Sequence, residues 1–137
     1  MSPSLLQAWW RRLARLWRPG DRSPRARGAR AERAAARHLR RHGYRILQQN
    51  LNLRYGEIDM LALNEGSLVI VEVRSHKLGG LRPRETISRD KLRRLRRLAD
   101  QVHKRPKFRK LPVRIDLVEV AVDERGKAVG FEIIEAL

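Results

Sequence analysis

Residues 57–74 read Glu-Ile-Asp-Met-Leu-Ala-Leu-Asn-Glu-Gly-Ser-Leu-Val-Ile-Val-Glu-Val-Arg. Two short apolar runs flank Asn64, Glu65, Gly66 and Ser67, a cluster of turn formers, so the stretch reads as a hairpin of strands 57–63 and 68–73. The second run is apolar from Leu68 to Val73 except at Glu72. A carboxylate inside a buried strand costs several kcal/mol unless a cation or hydrogen-bond donors meet it, on the order of 2–7 for a polar group alone. Asp59 lies on the preceding strand, and the hairpin brings that strand alongside Glu72's own.

Working outward, residues 44–50 form a further strand. It follows a helix over 28–43 in which Ala31, Ala35 and Leu39 share a face, Glu32 stands in the first turn and Gly43 supplies the stop. Downstream, a loop containing Gly79, Gly80 and Pro83 leads to a helix over 88–103. Leu92, Leu95, Ala99 and Val102 make its apolar stripe, Ser88 its N-cap and Lys104-Arg105-Pro106 its end. Strands over 113–122 and 130–134 follow, separated by a polar turn at 123–127. A strand, a helix and a returning strand make a right-handed crossover, so the strand from 113 is expected parallel to the strand from 68. The fold class is α/β: an αβββαβ core with a mixed central sheet flanked by helices and one further strand.

Residues 1–27 read as an appendage. Leu6, Trp9, Trp10, Leu13, Leu16 and Trp17 recur at helical spacing and are followed by an Arg/Pro-rich linker, so an amphipathic helix precedes the α/β domain at 28–137. Arg11, Arg12, Arg15 and Arg18 decorate that helix. Residues 5–18 therefore have several readings: a membrane surface, a protein partner, added nucleic-acid affinity, or packing against their own domain.

The chain has 137 residues, the size of one domain, and no cysteine, which removes disulfides, thiolate metal sites and thiol nucleophiles from its chemistry. Lys and Arg number 32 against 15 Asp and Glu, a formal +17 whose natural partners are polyanions, foremost nucleic acid. A merely solvated basic surface is the plain alternative. No apolar run reaches the length of a bilayer span and the first residues lack the core of a secretory signal, so a soluble cytoplasmic protein is expected. The basic excess is concentrated: thirteen Lys and Arg against three Asp and Glu between positions 82 and 110 leave a local +10. Lys91, Arg93, Arg94 and Arg97 on the second helix, with Lys77 after the third strand, are the candidate phosphate-binding residues; such contacts fix position without reading sequence.

Carboxylates on adjacent strands, with a backbone carbonyl such as that of Val73, make the oxygen shell that magnesium or manganese prefers. Surface acids bonded to nearby arginines are the alternative. Glu72 and Arg74 differ by two and project from one face of their strand. A carboxylate and a cation so placed can hold an attacking water near a phosphodiester and neutralise developing charge. His38 and His42 lie one turn apart without a third ligand, and are better read as a solvated pair than as a zinc site. Ser75 and Ser88 have no His/Asp partners for serine hydrolase chemistry.

Gly28 with Ala31-Glu32, Gly43-Tyr44, Asn50, Gly56-Glu57-Ile58-Asp59, Val71-Glu72-Val73-Arg74 and Ser88 with Lys91 occur in an order that resembles the YraN-like family of uncharacterised bacterial proteins. That family is similar to the restriction-endonuclease-like, PD-(D/E)xK superfamily and, within it, to Holliday junction resolvases. The resemblance implies a divalent-metal-dependent endonuclease acting on DNA, including branched DNA. It implies metal ligation by Asp59 and Glu72, support from Glu32 as a further acid, and Arg74 in the place of the superfamily's lysine. A guanidinium stays protonated and cannot accept a proton, so the alternative is a weakened or inactive nucleic-acid-binding protein of the same fold. Resolvase-like cleavage of two strands needs two active sites, and by that analogy a homodimer is expected.

Overall fold

The computed structural model describes residues 24–79 and 88–135. The expected N-terminal amphipathic helix over 5–18 and the Gly80–Pro83 part of the loop lie outside the described residues. Seven elements are present: α1 (Pro24–Arg41), β1 (Arg45–Leu53), β2 (Gly56–Asn64), β3 (Ser67–Lys77), α2 (Arg89–His103), β4 (Val113–Val122) and β5 (Ala128–Glu135). The five strands lie in one sheet in the order β1-β2-β3-β4-β5. The β3–β4 pair is parallel and the other pairs are antiparallel.

Both strands of the opening hairpin and the crossover are where the sequence puts them. The expected helix over 28–43 instead begins at Pro24, inside the stretch read as linker. Proline is at home in a first helical turn, where its missing N–H costs no hydrogen bond. Strand β3 runs four residues past Val73, because the parallel register with β4 continues from Leu68↔Val113 to Lys77↔Val122. Ser88 caps α2 as expected, its Oγ accepting from Lys91 N–H at 3.1 Å.

Strand alternation sends side chains to both faces of the sheet, and each face carries its own helix. Ala31, Ala35, Ala36 and Leu39 of α1 pack on Met60, Ala62, Val69, Val71, Val118 and Val120. Leu95, Leu98, Ala99 and Val102 of α2 pack on Ile58, Leu61, Leu68, Ile70 and Ile115. This three-layer arrangement in this element order is a restriction-endonuclease-like core. His38 stacks on Phe131 with centroids 4.2 Å apart, and His42 Nδ1 donates to the His38 carbonyl at 2.8 Å. His42 is exposed as expected, whereas His38 is half-buried packing rather than a solvated side chain. No described helix is long and apolar enough to cross a membrane.

A buried polar network ties the end of α1 to the sheet. Asp116 is fully buried and accepts from Tyr44 Oη at 2.8 Å and from Arg114 Nε and Nη2 at 2.8 and 3.0 Å; Arg114 Nη2 also donates to Asn64 Oδ1 at 2.8 Å. Burial and the bond to Asp116 push the Tyr44 phenol upward, so it stays a donor. Arg114→Met, which strands a carboxylate with no counter-ion, is expected to cost about 3–5 kcal/mol in urea unfolding, and the added change Asp116→Leu to restore part of that. A loss below about 1 kcal/mol for the single variant would show that the pair is not the anchor.

Candidate active site

The hairpin that opens the sequence analysis does not stay paired along its length. The β2–β3 ladder runs from Asn64↔Ser67 to Met60↔Val71 and stops, while β3 goes on pairing with β4 through Glu72↔Leu117 and beyond. Asp59 and Glu72 stand where the ladder ends. The Val73 N–H donates to Asp59 Oδ2 at 2.8 Å. A carboxylate thus satisfies a backbone donor next to the point where the strands part.

The neighbouring strand is irregular at the same level. Gln49 pairs with Met60 and Leu51 with Ile58, and Asn50 between them, opposite Asp59, has a φ of 50°, a conformation that asparagine tolerates better than most residues. With its amide nitrogen facing the acids, Asn50 donates at 2.9 Å to both Glu32 Oε2 on α1 and Glu57 Oε1 on β2. The chain thereby links acids from three elements: Glu32 with Glu57 through Asn50, and Asp59 with Glu72 directly. Desolvation raises the Glu32 carboxyl to about 7, with further upward pushes from the Glu57 and Glu72 charges and a smaller opposing effect of the Asn50 bond. The Asp59 carboxyl is likewise held far above the ordinary carboxylate range, by burial first and then by the charge of Glu72, against the lowering effect of the Val73 N–H.

The cation that meets buried Glu72 comes from α2. Lys91 Nζ lies 2.5 Å from Glu72 Oε1, with the lysine side chain 27 % and the glutamate side chain 10 % exposed. Sequence reasoning placed Lys91 among the phosphate-binding residues and looked to Arg74 for the cation beside Glu72. The structure gives that place to Lys91. Arg74 is half-buried, in register with the buried Glu119 of β4, and makes no ion pair among the described residues. Of the other basic candidates, Arg93 is paired to Asp90 at 2.7 Å, Arg94 and Arg97 are exposed on α2, and Lys77 lies at the far end of β3. Together with His76, Asp123 and Glu124, Lys77 lines a separate cavity of about 320 Å³.

Sequence reasoning assigned no role to two participants, Asn50 and Glu57. Both lie within the motif set that carries the family resemblance, and an Asn on the strand beside Asp59 is the signal that could have found them. Among the described residues no three His, Cys, Asp or Glu side chains gather closely enough to form a ready metal site. The two side-chain carboxylates able to hold a divalent cation together are Asp59 and Glu72, with Glu32, tied through Asn50 to Glu57, close enough for its charge to act on both.

Residues 31–120 match the family described as "Uncharacterised protein family UPF0102". The chain belongs to that family. It is 38 % identical over 110 residues to a UPF0102 protein of Clavibacter michiganensis, covering 80 % of this chain and 92 % of the relative. A UPF0102 protein of Symbiobacterium thermophilum is 41 % identical over 103 residues, covering 73 % and 86 %. One from Anaeromyxobacter is 42 % identical over 115 residues, covering 81 % and 83 %. The UPF0102 match begins within α1 and ends within β4, so it contains Glu32, Asp59, Glu72, Arg74 and Lys91 alike.

The raised carboxyls have a measurable consequence. Where the folded pKa lies above the unfolded one, the unfolded state sheds its proton first, so stability is full below the ordinary carboxylate value and is lost as pH rises through the raised value. For Glu32 that window runs from the ordinary value of about 4.3 to about 7, and Asp59 adds a loss in the same direction. In EDTA, Asp59→Asn, whose side-chain carbonyl still accepts from Val73 N–H, is expected to stay more stable than the parent at pH 8 and to lose the advantage at pH 4. Thermal unfolding across that range tests it; an advantage that grows toward acid would refute the burial of repelling acids.

Proposed function

We propose that this UPF0102 protein is a divalent-metal-dependent endonuclease that hydrolyses phosphodiester bonds of DNA at the Asp59–Glu72 pair. The observation that carries the reading is the pair itself: two desolvated, mutually repelling carboxylates at the parting of two strands, in a chain of net charge +17. Such a pair is costly to a protein unless a cation uses it.

Asp59 and Glu72 would hold the magnesium or manganese ion. When bound, it supplies charge neutralisation and activation of water for attack on phosphorus. The chain's residues do the rest. Lys91 balances Glu72 in the free protein, and once the carboxylate is engaged its ammonium is available to the substrate phosphate. Arg74, on the same strand face as Glu72, neutralises charge growing on the phosphoryl oxygens as water adds and the ester oxygen leaves with a proton. Glu32, linked through Asn50 to Glu57, keeps a proton near neutrality and so limits the negative charge crowded around the pair. The exposed Arg94 and Arg97 hold the DNA backbone by charge without reading sequence.

A second reading rests on what the family resemblance implies: Arg74 stands in the place of the superfamily's lysine and cannot accept a proton, so the fold could bind DNA without cutting it. Manganese-dependent nicking of branched or single-stranded DNA, measured on gels, separates the two. Cleavage is expected to vanish in EDTA and to fall by about 100-fold or more in Glu72→Ala, while Arg74→Lys retains or exceeds the parent rate. Binding unchanged by Glu72→Ala, with no cleavage by the parent and cleavage regained in Arg74→Lys, would establish the binding protein instead.

A further inference from the structure

Beyond the acidic site, the β1–β2 connection and the outer side of α2 enclose a groove of about 450 Å³ lined by Arg54, Tyr55, Arg97, Asp100, Gln101 and Lys104. Three cations face one carboxylate there. Tyr55 sits at the tip of a two-residue hairpin, between Leu53 and Gly56, which pair with each other, and is 56 % exposed. Neither turn chemistry, which asks for Gly, Asn or Asp, nor core packing calls for an aromatic ring at this position. The Arg54 guanidinium lies over the ring, 5.6 Å from its centroid, near enough for a cation–π contact on one face. Gln101 Oε1 is buried with no hydrogen-bond partner among the described residues, an unmet acceptor in the groove wall.

The hairpin tip lies beside the helix that carries Lys91. Gly56, at φ 146°, has a backbone conformation that L side chains rarely adopt, and a Cβ there would be in ordinary contact with Leu98 Cδ1 at 3.6 Å and Arg94 Cδ at 3.7 Å. On α2, Arg94, Arg97, Gln101 and Lys104 follow one another at spacings of three and four, one turn beyond the Lys91 that touches Glu72. From Lys91 to Lys104 the helix rises roughly 20 Å, and Tyr55 precedes Asp59 by roughly 13 Å of strand. A polyanion running along this side of α2 would pass from Glu72 to Tyr55 within a few nucleotides.

We propose that this groove is a subsite for unpaired DNA, with a base stacked on Tyr55 and the flanking phosphates held by Arg97 and Lys104. An exposed ring beside cations is the equipment of single-strand binding, and a base paired inside a duplex cannot use the ring. The substrate class that follows is DNA with a single-stranded stretch next to the cleavage point. The inference rests on the nuclease reading for its substrate, and binding in EDTA tests it without cleavage.

Anisotropy of a fluorescein-labelled oligothymidine and of a duplex of equal length, both in EDTA, provides the measurement. Tyr55→Ala is expected to weaken oligothymidine binding about tenfold and duplex binding less than about twofold, with Tyr55→Phe close to the parent. Lys104→Ala is expected to lower the slope of log affinity against log salt by about 1. Equal weakening of both DNAs by Tyr55→Ala, or no weakening of either, would overturn the subsite. A parent protein that shows Tyr55-dependent oligothymidine binding but no metal-dependent cleavage refutes only the nuclease, and one that cleaves while Tyr55→Ala leaves oligothymidine binding unchanged refutes only the groove.

Discussion

The hydrogen bond from Val73 N–H to Asp59 Oδ2 is the interaction around which the rest is arranged. A β-ladder is continuous where backbone meets backbone, and ending it inside a sheet leaves donors and acceptors without partners. Here a side chain takes up a backbone donor beside the last β2–β3 pair. The strands can therefore part without an orphan at Val73, and the space opened is lined by the carboxylate that made the parting possible. The same residue closes the backbone account and opens the electrostatic one.

That electrostatic account explains the neighbours. Asp59 and Glu72 repel, so the free protein places the Lys91 ammonium on Glu72. It also presents Glu72 near the N-terminal turn of α2, where helix dipoles favour negative charge. On the opposite helix, Glu32 is kept close to neutral by burial and tethered through Asn50 to Glu57. The two helices thus contribute opposite devices, a cation from α2 and a protonatable acid from α1. Both depend on the sheet being covered on both faces, which is why the two apolar cores are needed to hold so small a polar site.

The architecture was readable because its signals are local. Asn64 to Ser67 mark a turn, Ser88 marks a cap, and the apolar runs of β3 and β4 with a helix between them leave one handed connection. The acids at Asp59 and Glu72 stood out for the same reason, as polar residues in apolar periods. Lys91 as partner of Glu72 was not readable in that way. Its sequence neighbourhood is a run of basic residues, and only the packing of α2 across the sheet singles out one of them. Asn50 is a comparable case, since no spacing rule announces its φ of 50° inside a strand or the two acids its amide meets.

Arg74 and Lys91 bring different chemistry to the surroundings of Glu72. A lysine on β3 combines two properties, a positive charge beside the carboxylate pair and an amine able to exchange a proton; arginine keeps the first and lacks the second. In this chain an amine does reach Glu72, but from the helix, and the strand position carries a guanidinium in register with Glu119. Charge and amine are therefore divided between two residues on two elements. The helix residue lies one turn before Arg94, whose side chain comes close to Gly56 at the base of the Tyr55 hairpin, so under the proposed function a DNA strand that displaced the Lys91 ammonium from Glu72 would run along the same side of α2 toward that groove. On that proposal, the division of charge and amine between Arg74 and Lys91 ties the acidic pair to the path of the strand that would reach it.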